Sequence, residues 1–246
     1  MDDQLTQTLK YLRLPGLMAH WDEYLAVAQK KRFSPVRLLR YVLEEESKIR
    51  SENARRLRLA RAGIPELFQM ETFPFDQQPK LDRKRILSLY DAFDFVTRNQ
   101  NLIWVGPTGC GKTGLATSFL VQAIQRGYTG RYVLFHELFA ELLRSVADHS
   151  EHEVLKRYLS CDSLLIDEIG YVEAEPVQVG LFFTLMHKRH RRKPTLITSN
   201  LGFSEWRSFL KNDHLTAALI DRLTENSHVI NMKNCVSLRP KLASDS

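Results

Sequence analysis

Residues 106–113, Gly-Pro-Thr-Gly-Cys-Gly-Lys-Thr, match the pattern G-x-x-x-x-G-K-[ST] at every constrained position. An apolar run over 102–105 predicts a strand before the motif, and residues 113–125 predict a helix after it. In this setting the loop N–H groups, the helix N-terminus and Lys112 surround phosphates, while the Thr113 hydroxyl reaches Mg²⁺. The motif predicts a P-loop for ATP and Mg²⁺ in an α/β fold. Its residues are Gly106, Pro107, Thr108, Gly109, Cys110, Gly111, Lys112 and Thr113. Cys110 occupies a position that the motif leaves unconstrained, and it is expected to be a spectator rather than a redox switch.

A second motif supplies carboxylates. Residues 163–168, Ser-Leu-Leu-Ile-Asp-Glu, form an apolar run that predicts a buried strand ending in two adjacent acids. Asp167 is expected to hold Mg²⁺ through its water shell, and Glu168 to polarise the attacking water. The alternative is a pair of solvent-facing acids at a strand end. The first interpretation predicts an enzyme that hydrolyses ATP to ADP and phosphate.

Short β-rich runs alternate with helical stretches from about residue 94 onward. The runs are 101–105, 131–135, 163–167, 195–198 and 227–232. Such alternation is typical of a parallel sheet with helices on its faces. The fourth run is followed by Ser199 and Asn200. Asn200 is placed either to touch the γ-phosphate or the water, or simply to form a turn.

The first 62 residues have helical apolar spacing, and their charge is unusual. Ser34-Pro35 predicts a helix start, Leu38, Leu39, Val42 and Leu43 form an apolar stripe, and Gly63 and Pro65 predict the end. Residues 30–61 hold eleven Lys or Arg against four Glu, a surplus of seven in a chain of net charge +6. Such a field is typical of a polyanion partner, nucleic acid first and anionic membrane second, although a solvated helix surface is the alternative. The candidate DNA-binding residues are Arg32, Arg37, Arg40, Arg50, Arg55, Arg56, Arg58 and Arg61.

The patterns predict three parts: a basic helical domain over 1–63, a connecting segment over 64–93 and an ATPase domain over 94–246. The connecting segment contains three prolines, and residues 81–93 predict one more helix in it. There is no apolar run of membrane-spanning length and no secretory signal, so a cytoplasmic protein without a membrane partner is expected. Three widely spaced cysteines indicate neither a disulfide framework nor a zinc site.

Five blocks in order, GPTGCGKT, LLIDE, TLITSN, LGFSEW and LTAALIDRL, closely resemble the IstB-type ATPases. These are AAA+ helper proteins encoded beside the transposase of certain bacterial insertion sequences, and they are related to the DnaC helicase loader. The resemblance implies a five-stranded AAA+ core in which the Asn200 strand lies between the P-loop strand and the Asp167 strand. It also implies that Asn200 is a sensor 1 residue and Arg222 an arginine finger for the ATP of a neighbouring subunit. The alternative for Arg222 is an ordinary surface arginine paired with Asp221 or Glu225.

The chain departs from the family pattern at several places. Gly114 follows the P-loop where the family commonly has histidine. The short stretch after the last predicted strand leaves no room for a C-terminal lid with its sensor 2 arginine, although Arg239 fits the family's terminal Ser-x-Arg pattern. A second basic run over 188–193 ends a predicted helix, where it suits the helix dipole as well as it suits a DNA contact.

Three functions are therefore open. The first is a transposition helper that forms an oligomer on duplex DNA, with little sequence preference, deforms the target and delivers it to a partner transposase. The second is a DnaC-like helicase loader, whose N-terminal helices would grip a helicase. The third is a nucleotide-gated DNA-binding scaffold in which hydrolysis is incidental. The local positive charge favours the first.

Overall fold

The computed structural model describes residues 2–170 and 174–239. Four helices occupy most of the described chain up to residue 61, as the apolar spacing predicts. They are α1 (Asp3–Tyr11), α2 (Pro15–Ala19), α3 (Trp21–Lys30) and α4 (Pro35–Arg61). Ser34 caps α4, because its Oγ accepts a hydrogen bond from the Arg37 N–H at 3.4 Å. Gly63 follows the helix with φ +70°, a left-handed conformation that glycine adopts without strain.

The chain forms two compact units, Met1–Leu57 and Arg58–Ser246, so the division falls inside α4 rather than after residue 63. In the first unit the buried carboxylate of Glu46 accepts a hydrogen bond from the Leu17 N–H at 2.7 Å. This contact ties α4 to the start of α2. The predicted apolar stripe of α4 is only partly buried, since the side chains of Leu39 and Leu43 are 61% and 54% exposed.

The predicted connecting segment over 64–93 is part of the second unit. It contains two short 3-10 helices, Met70–Thr72 and Phe75–Gln77, and the predicted helix over 81–93 is confirmed as α5 (Arg83–Ala92). A further short helix, α6 (Asp94–Thr97), leads into the first strand. The segment packs here because Met70, Phe75 and Ile86 bury their apolar side chains in the core of the second unit.

The sheet has five parallel strands in the order β2-β3-β4-β1-β5, which confirms the predicted α/β AAA+ core. The strands are β1 (Asn101–Val105), β2 (Gly130–Leu134), β3 (Ser163–Ile169), β4 (Thr195–Ser199) and β5 (Ser227–Asn231). The strand before Asn200 therefore lies between the P-loop strand and the Asp167 strand, as the resemblance implies. Because all strands run the same way, the P-loop, Asp167 and Asn200 meet at one edge of the sheet.

Helices cover both faces of the sheet. They are α7 (Lys112–Gln125), α8 (Phe135–Ala147), α9 (Glu151–Ser160), α10 (Pro176–Arg189), α11 (Trp206–Leu210) and α12 (Asp213–Thr224), with a 3-10 helix at Phe203–Glu205. Side chains of β1 alternate between the faces: Leu102 and Trp104 pack towards α7, whereas Ile103 and Val105 pack towards α8 and α10. The strands are continuous apolar runs because both of their faces are buried.

Residues 232–239 form no helix. No helix within 2–170 or 174–239 is both long and apolar enough to cross a membrane.

Candidate nucleotide-binding site

The P-loop connects β1 to α7, and its glycines are required by the backbone. Gly109 and Gly111 have φ +82° and +94°, in the left-handed region. A Cβ added to Gly106 would lie 2.8 Å from the backbone of Met232. The motif glycines therefore allow both the turn and the close approach of the backbone at Met232.

The ammonium of Lys112 lies inside this loop, and the residue is only 6% exposed. Its Nζ donates hydrogen bonds to the carbonyl oxygens of Gly106 at 2.8 Å and Pro107 at 2.7 Å, and to Oδ1 of Asn200 at 2.6 Å. Burial lowers the pKa of Lys112. These three acceptors are neutral, so the site presents a positive charge that suits an anion. The contact also brings together Lys112 and Asn200, each of which the sequence predicted separately as a site residue.

Asp167 is 1% exposed and is surrounded by hydroxyl groups. Its Oδ1 accepts hydrogen bonds from Oγ1 of Thr113 at 3.1 Å and from Oγ1 of Thr198, and its Oδ2 accepts one from the Tyr132 hydroxyl at 2.8 Å. Burial and then the charge of Asp167 raise the pKa of Tyr132, which keeps the phenol protonated as a donor. Sequence reasoning assigned no role to Thr198, although it lies in the TLITSN block, and it missed Tyr132, which no motif marks.

The paired oxygens of Thr113 and Asp167 fit a magnesium ion. Mg²⁺ takes oxygen ligands, and in nucleotide sites one or two protein ligands are usual beside waters and phosphates. The described residues contain no group of three or more His, Cys, Asp and Glu side chains that could hold a metal. A hydroxyl and a carboxylate oxygen 3.1 Å apart therefore match a site that phosphate and water complete.

Glu168 lies at an irregularity in β3, where the register with β4 shifts between Ile166 and Ile169. Its φ is +60°, and its N–H donates to Oγ1 of Thr198 at 2.9 Å. Successive side chains of a regular strand point to opposite faces, so a bulge is needed to redirect one of two adjacent acids. The exposed Glu168 side chain lines the same cleft as Lys112 and Asn200.

The cleft has a volume of about 700 Å³, within the range of small-molecule sites. Besides the predicted residues, its walls include Phe68, Phe73 and Arg239, all from the second unit. Phe73 packs on the P-loop, since a Cβ on Gly111 would lie 2.6 Å from its ring, and a Cβ on Gly114 would lie 3.3 Å from Phe68. The glycine at 114 thus leaves room for an aromatic side chain from the segment over 64–93.

The segment after β5 runs along the back of the P-loop. The Leu238 N–H donates to the Gly109 carbonyl at 2.9 Å. The buried Gln78 amide donates to the carbonyls of Cys110 at 3.2 Å and Val236 at 2.7 Å. Burial raises the pKa of the Cys110 thiol, which fits its predicted role as a spectator. This segment brings Arg239 into the wall of the cleft.

Arg222 does not line the cleft. It lies in the last turn of α12, just before β5 begins, and therefore near the sheet edge opposite the P-loop. Its Nε donates to Nδ1 of His187 at 3.1 Å, and its guanidinium lies 4.8 Å from the centre of the Phe183 ring. The alternative of an ion pair with Asp221 or Glu225 is not found among the described residues.

The candidate DNA-binding residues separate into groups. Arg58 and Arg61 belong to the second unit, whereas the other six belong to the first. Arg50 lies 3.8 Å from the Glu46 carboxylate, and Arg55 forms an ion pair with Glu52 at 2.8 Å. Arg32, Arg37, Arg40 and Arg56 form no ion pair within the described residues, and Lys31, Arg37 and Arg40 line a groove of about 540 Å³. Three of the candidate arginines that form no ion pair within the described residues thus lie where α3 meets α4, and Glu44 lines the same groove.

The second basic run, over 188–193, has structural roles that the sequence did not distinguish from DNA contacts. Arg189 is 1% exposed and donates to the carbonyls of Tyr158 at 2.9 Å and Pro194 at 2.6 Å. Lys193 donates to the carbonyls of Leu159 at 2.9 Å and Ser160 at 2.8 Å, at the end of α9.

Comparison with known proteins shows extensive similarity. A family model described as IstB-like ATP binding protein matches residues 7–246. A protein of insertion sequence IS21 from Pseudomonas aeruginosa, described as ATP-binding, is 31% identical over 230 residues, covering 94% of this chain and 86% of its own. A protein of insertion sequence IS5376 from Geobacillus stearothermophilus, also described as ATP-binding, is 29% identical over 233 residues, covering 95% of this chain and 92% of its own. Among solved structures, the DnaC helicase loader shares the fold with a TM-score of 0.52 at 22% identity, covering 61% of this chain and 90% of that chain.

Proposed function

This chain belongs to the family of IstB-like ATP-binding proteins, and we propose that it hydrolyses ATP while assembled on duplex DNA, deforms the DNA and presents it to a transposase. One observation carries the enzymatic part: Lys112, Glu168 and Asn200 line a single cleft beside the Thr113–Asp167 pair. The insertion-sequence names of the relatives support the transposition part.

ATP binding rests on the P-loop and Lys112. The N-terminus of α7 and the loop N–H groups attract the phosphates. The Lys112 ammonium, held by three neutral oxygens, exchanges them for phosphate oxygens and so releases Oδ1 of Asn200. The released Asn200 amide then donates to the γ-phosphate or orients the water. Nucleotide binding thus breaks the contact between Lys112 and Asn200, two residues that are 88 positions apart in the sequence.

Hydrolysis rests on the two acids of β3. Thr113 and Asp167 would hold Mg²⁺, which would supply positive charge against the phosphates. Glu168 accepts a proton from the attacking water as its oxygen bonds to the γ-phosphorus, and the bond to the bridging oxygen breaks to leave ADP. The position of Arg222 near the opposite sheet edge supports its action on the ATP of a neighbouring subunit, as an arginine finger.

DNA binding rests on the first unit. Lys31, Arg37 and Arg40 line one groove and form no ion pair within the described residues, which supports phosphate contacts there. Contacts to phosphates carry no sequence information directly, so little base preference is expected. Any preference then comes from the energy needed to deform the DNA.

A Glu168→Gln variant tests the function against the scaffold alternative. We expect it to bind ATP and to assemble on DNA, but to lose hydrolysis and transposition of a donor element supplied with its transposase. Glu153→Gln, an exposed glutamate on α9, is the matched control. Full transposition by Glu168→Gln would favour a scaffold in which hydrolysis is incidental.

The helicase-loader alternative shares the DnaC fold and makes a different prediction about partners. We expect the full chain to retain the transposase and duplex DNA in a pull-down, and not a replicative helicase. Retention of the helicase alone would favour the loader.

A further inference from the structure

The guanidinium of Arg222 is held by its own subunit in a defined orientation. Its Nε donates to Nδ1 of His187 at 3.1 Å, and its Nη1 donates to the Ala218 carbonyl, one turn back in α12, at 2.9 Å. The Phe183 ring lies 4.8 Å below it. Phe183 and His187 are one turn apart on α10, and their rings are parallel to within 1° at 6.1 Å. Two side chains of α10 therefore form a platform for an arginine of α12.

The carboxylates near Arg222 leave its charge uncompensated. Glu225 pairs with Nε2 of His190 at 3.0 Å and with Arg191. Asp221 forms no ion pair within the described residues. Nη2 of Arg222 has no hydrogen-bond partner among residues 2–170 and 174–239, so its two N–H groups are available to an incoming anion.

We propose that His187 and Phe183 are positioning residues for Arg222, which they hold so that Nη2 reaches the γ-phosphate bound by a neighbouring subunit. This inference rests on the proposed trans-acting role of Arg222. In this contact Nδ1 of His187 is the acceptor for the Nε–H of Arg222. A long arginine side chain loses much rotamer freedom when it binds a phosphate, and a platform that orients it beforehand reduces that loss.

The contact contributes little to folding. His187 is exposed, and an exposed polar pair is weak in water. A substitution that breaks it is therefore expected to change the activity of assembled subunits rather than their stability.

His187→Leu removes the acceptor, and His187→Asn keeps an acceptor at the same distance from the backbone. We expect His187→Leu to lower the DNA-stimulated ATPase rate about tenfold, the order of one hydrogen bond to a charged group, and His187→Asn to stay within about threefold of the parent. ATP affinity and the thermal unfolding midpoint should be unchanged in both. His152→Leu, an exposed histidine on α9, is the matched control.

Mixing experiments separate a positioning role from a general structural one. His187→Leu keeps an intact P-loop, so Lys112→Ala subunits, which keep an intact finger and platform, should restore activity to the level of the Arg222→Ala and Lys112→Ala mixture. Mixed with Arg222→Ala, the His187→Leu variant should gain nothing, because both lack a working finger. Sedimentation on duplex DNA in the presence of AMPPCP should show weaker nucleotide-dependent assembly for His187→Leu than for the parent chain.

Several results would overturn the inference. They are an unchanged or raised ATPase rate in His187→Leu, a failure of Lys112→Ala to restore it, or a His187→Asn variant as defective as His187→Leu. Failure of Arg222→Ala and Lys112→Ala to complement each other would instead overturn the trans-acting finger of the proposed function, and this inference with it.

Discussion

At the level of single residues, we expect substitutions of Lys112 and of Glu168 to separate ATP binding from ATP hydrolysis. We expect Lys112→Ala to lose ATP binding, because the phosphates would face backbone amides alone. Glu168→Gln should keep ATP affinity and lose about a hundredfold or more in turnover, the usual contribution of a positioned base. Nucleotide titration and a steady-state ATPase assay measure the two effects. Equal ATP affinity in Lys112→Ala and the parent chain would contradict the assignment.

Tyr132 offers a second test at this scale, since it joins β2 to the Asp167 carboxylate. Tyr132→Phe leaves Oδ2 of a buried carboxylate without its hydroxyl donor. We expect the free energy of unfolding to fall by about 1.5–3 kcal/mol, the range for a hydrogen bond to a charged group. Urea unfolding measures it, with Tyr128→Phe as the control. A loss no larger than that of the control would show that Asp167 does not depend on Tyr132.

At the level of secondary-structure elements, we expect the junction of α3 and α4 to determine the salt dependence of DNA binding. Reversing the charges of Lys31, Arg37 and Arg40 should reduce the slope of log affinity against log salt by about 3, since each phosphate that a cation neutralises adds about 0.9 to the slope. Arg55→Glu should change it little, because Glu52 already pairs with Arg55. Titration of duplex DNA at several salt concentrations measures the slope. The reverse order of effects would place the DNA further along α4.

At the level of the whole molecule, hydrolysis should require several subunits. Because Arg222 lies near the sheet edge opposite its own P-loop, we expect one chain alone to lack an arginine finger for its ATP. We expect ATPase activity to rise more than linearly with protein concentration and to be stimulated by duplex DNA, which raises the effective concentration of subunits. An equal mixture of Arg222→Ala and Lys112→Ala should be more active than either alone. Activity strictly proportional to concentration would show that each chain works by itself.

The sequence by itself determined the features that contiguous residues encode. The P-loop at 106–113 and the β3 acids were predictable, since glycine conformations and apolar runs act locally. The resemblance added the strand order, which the structure confirms.

Only the tertiary structure decided which distant residues complete the site. The contacts of Tyr132 with Asp167, Thr198 with Glu168 and His187 with Arg222 join positions 30–35 apart. It also placed residues 64–93 in the second unit and buried Arg189, a cation that charge counting treats as a surface group. The physical reason is that these contacts depend on which strands are neighbours and how helices pack on them, and neither is encoded in local composition or spacing.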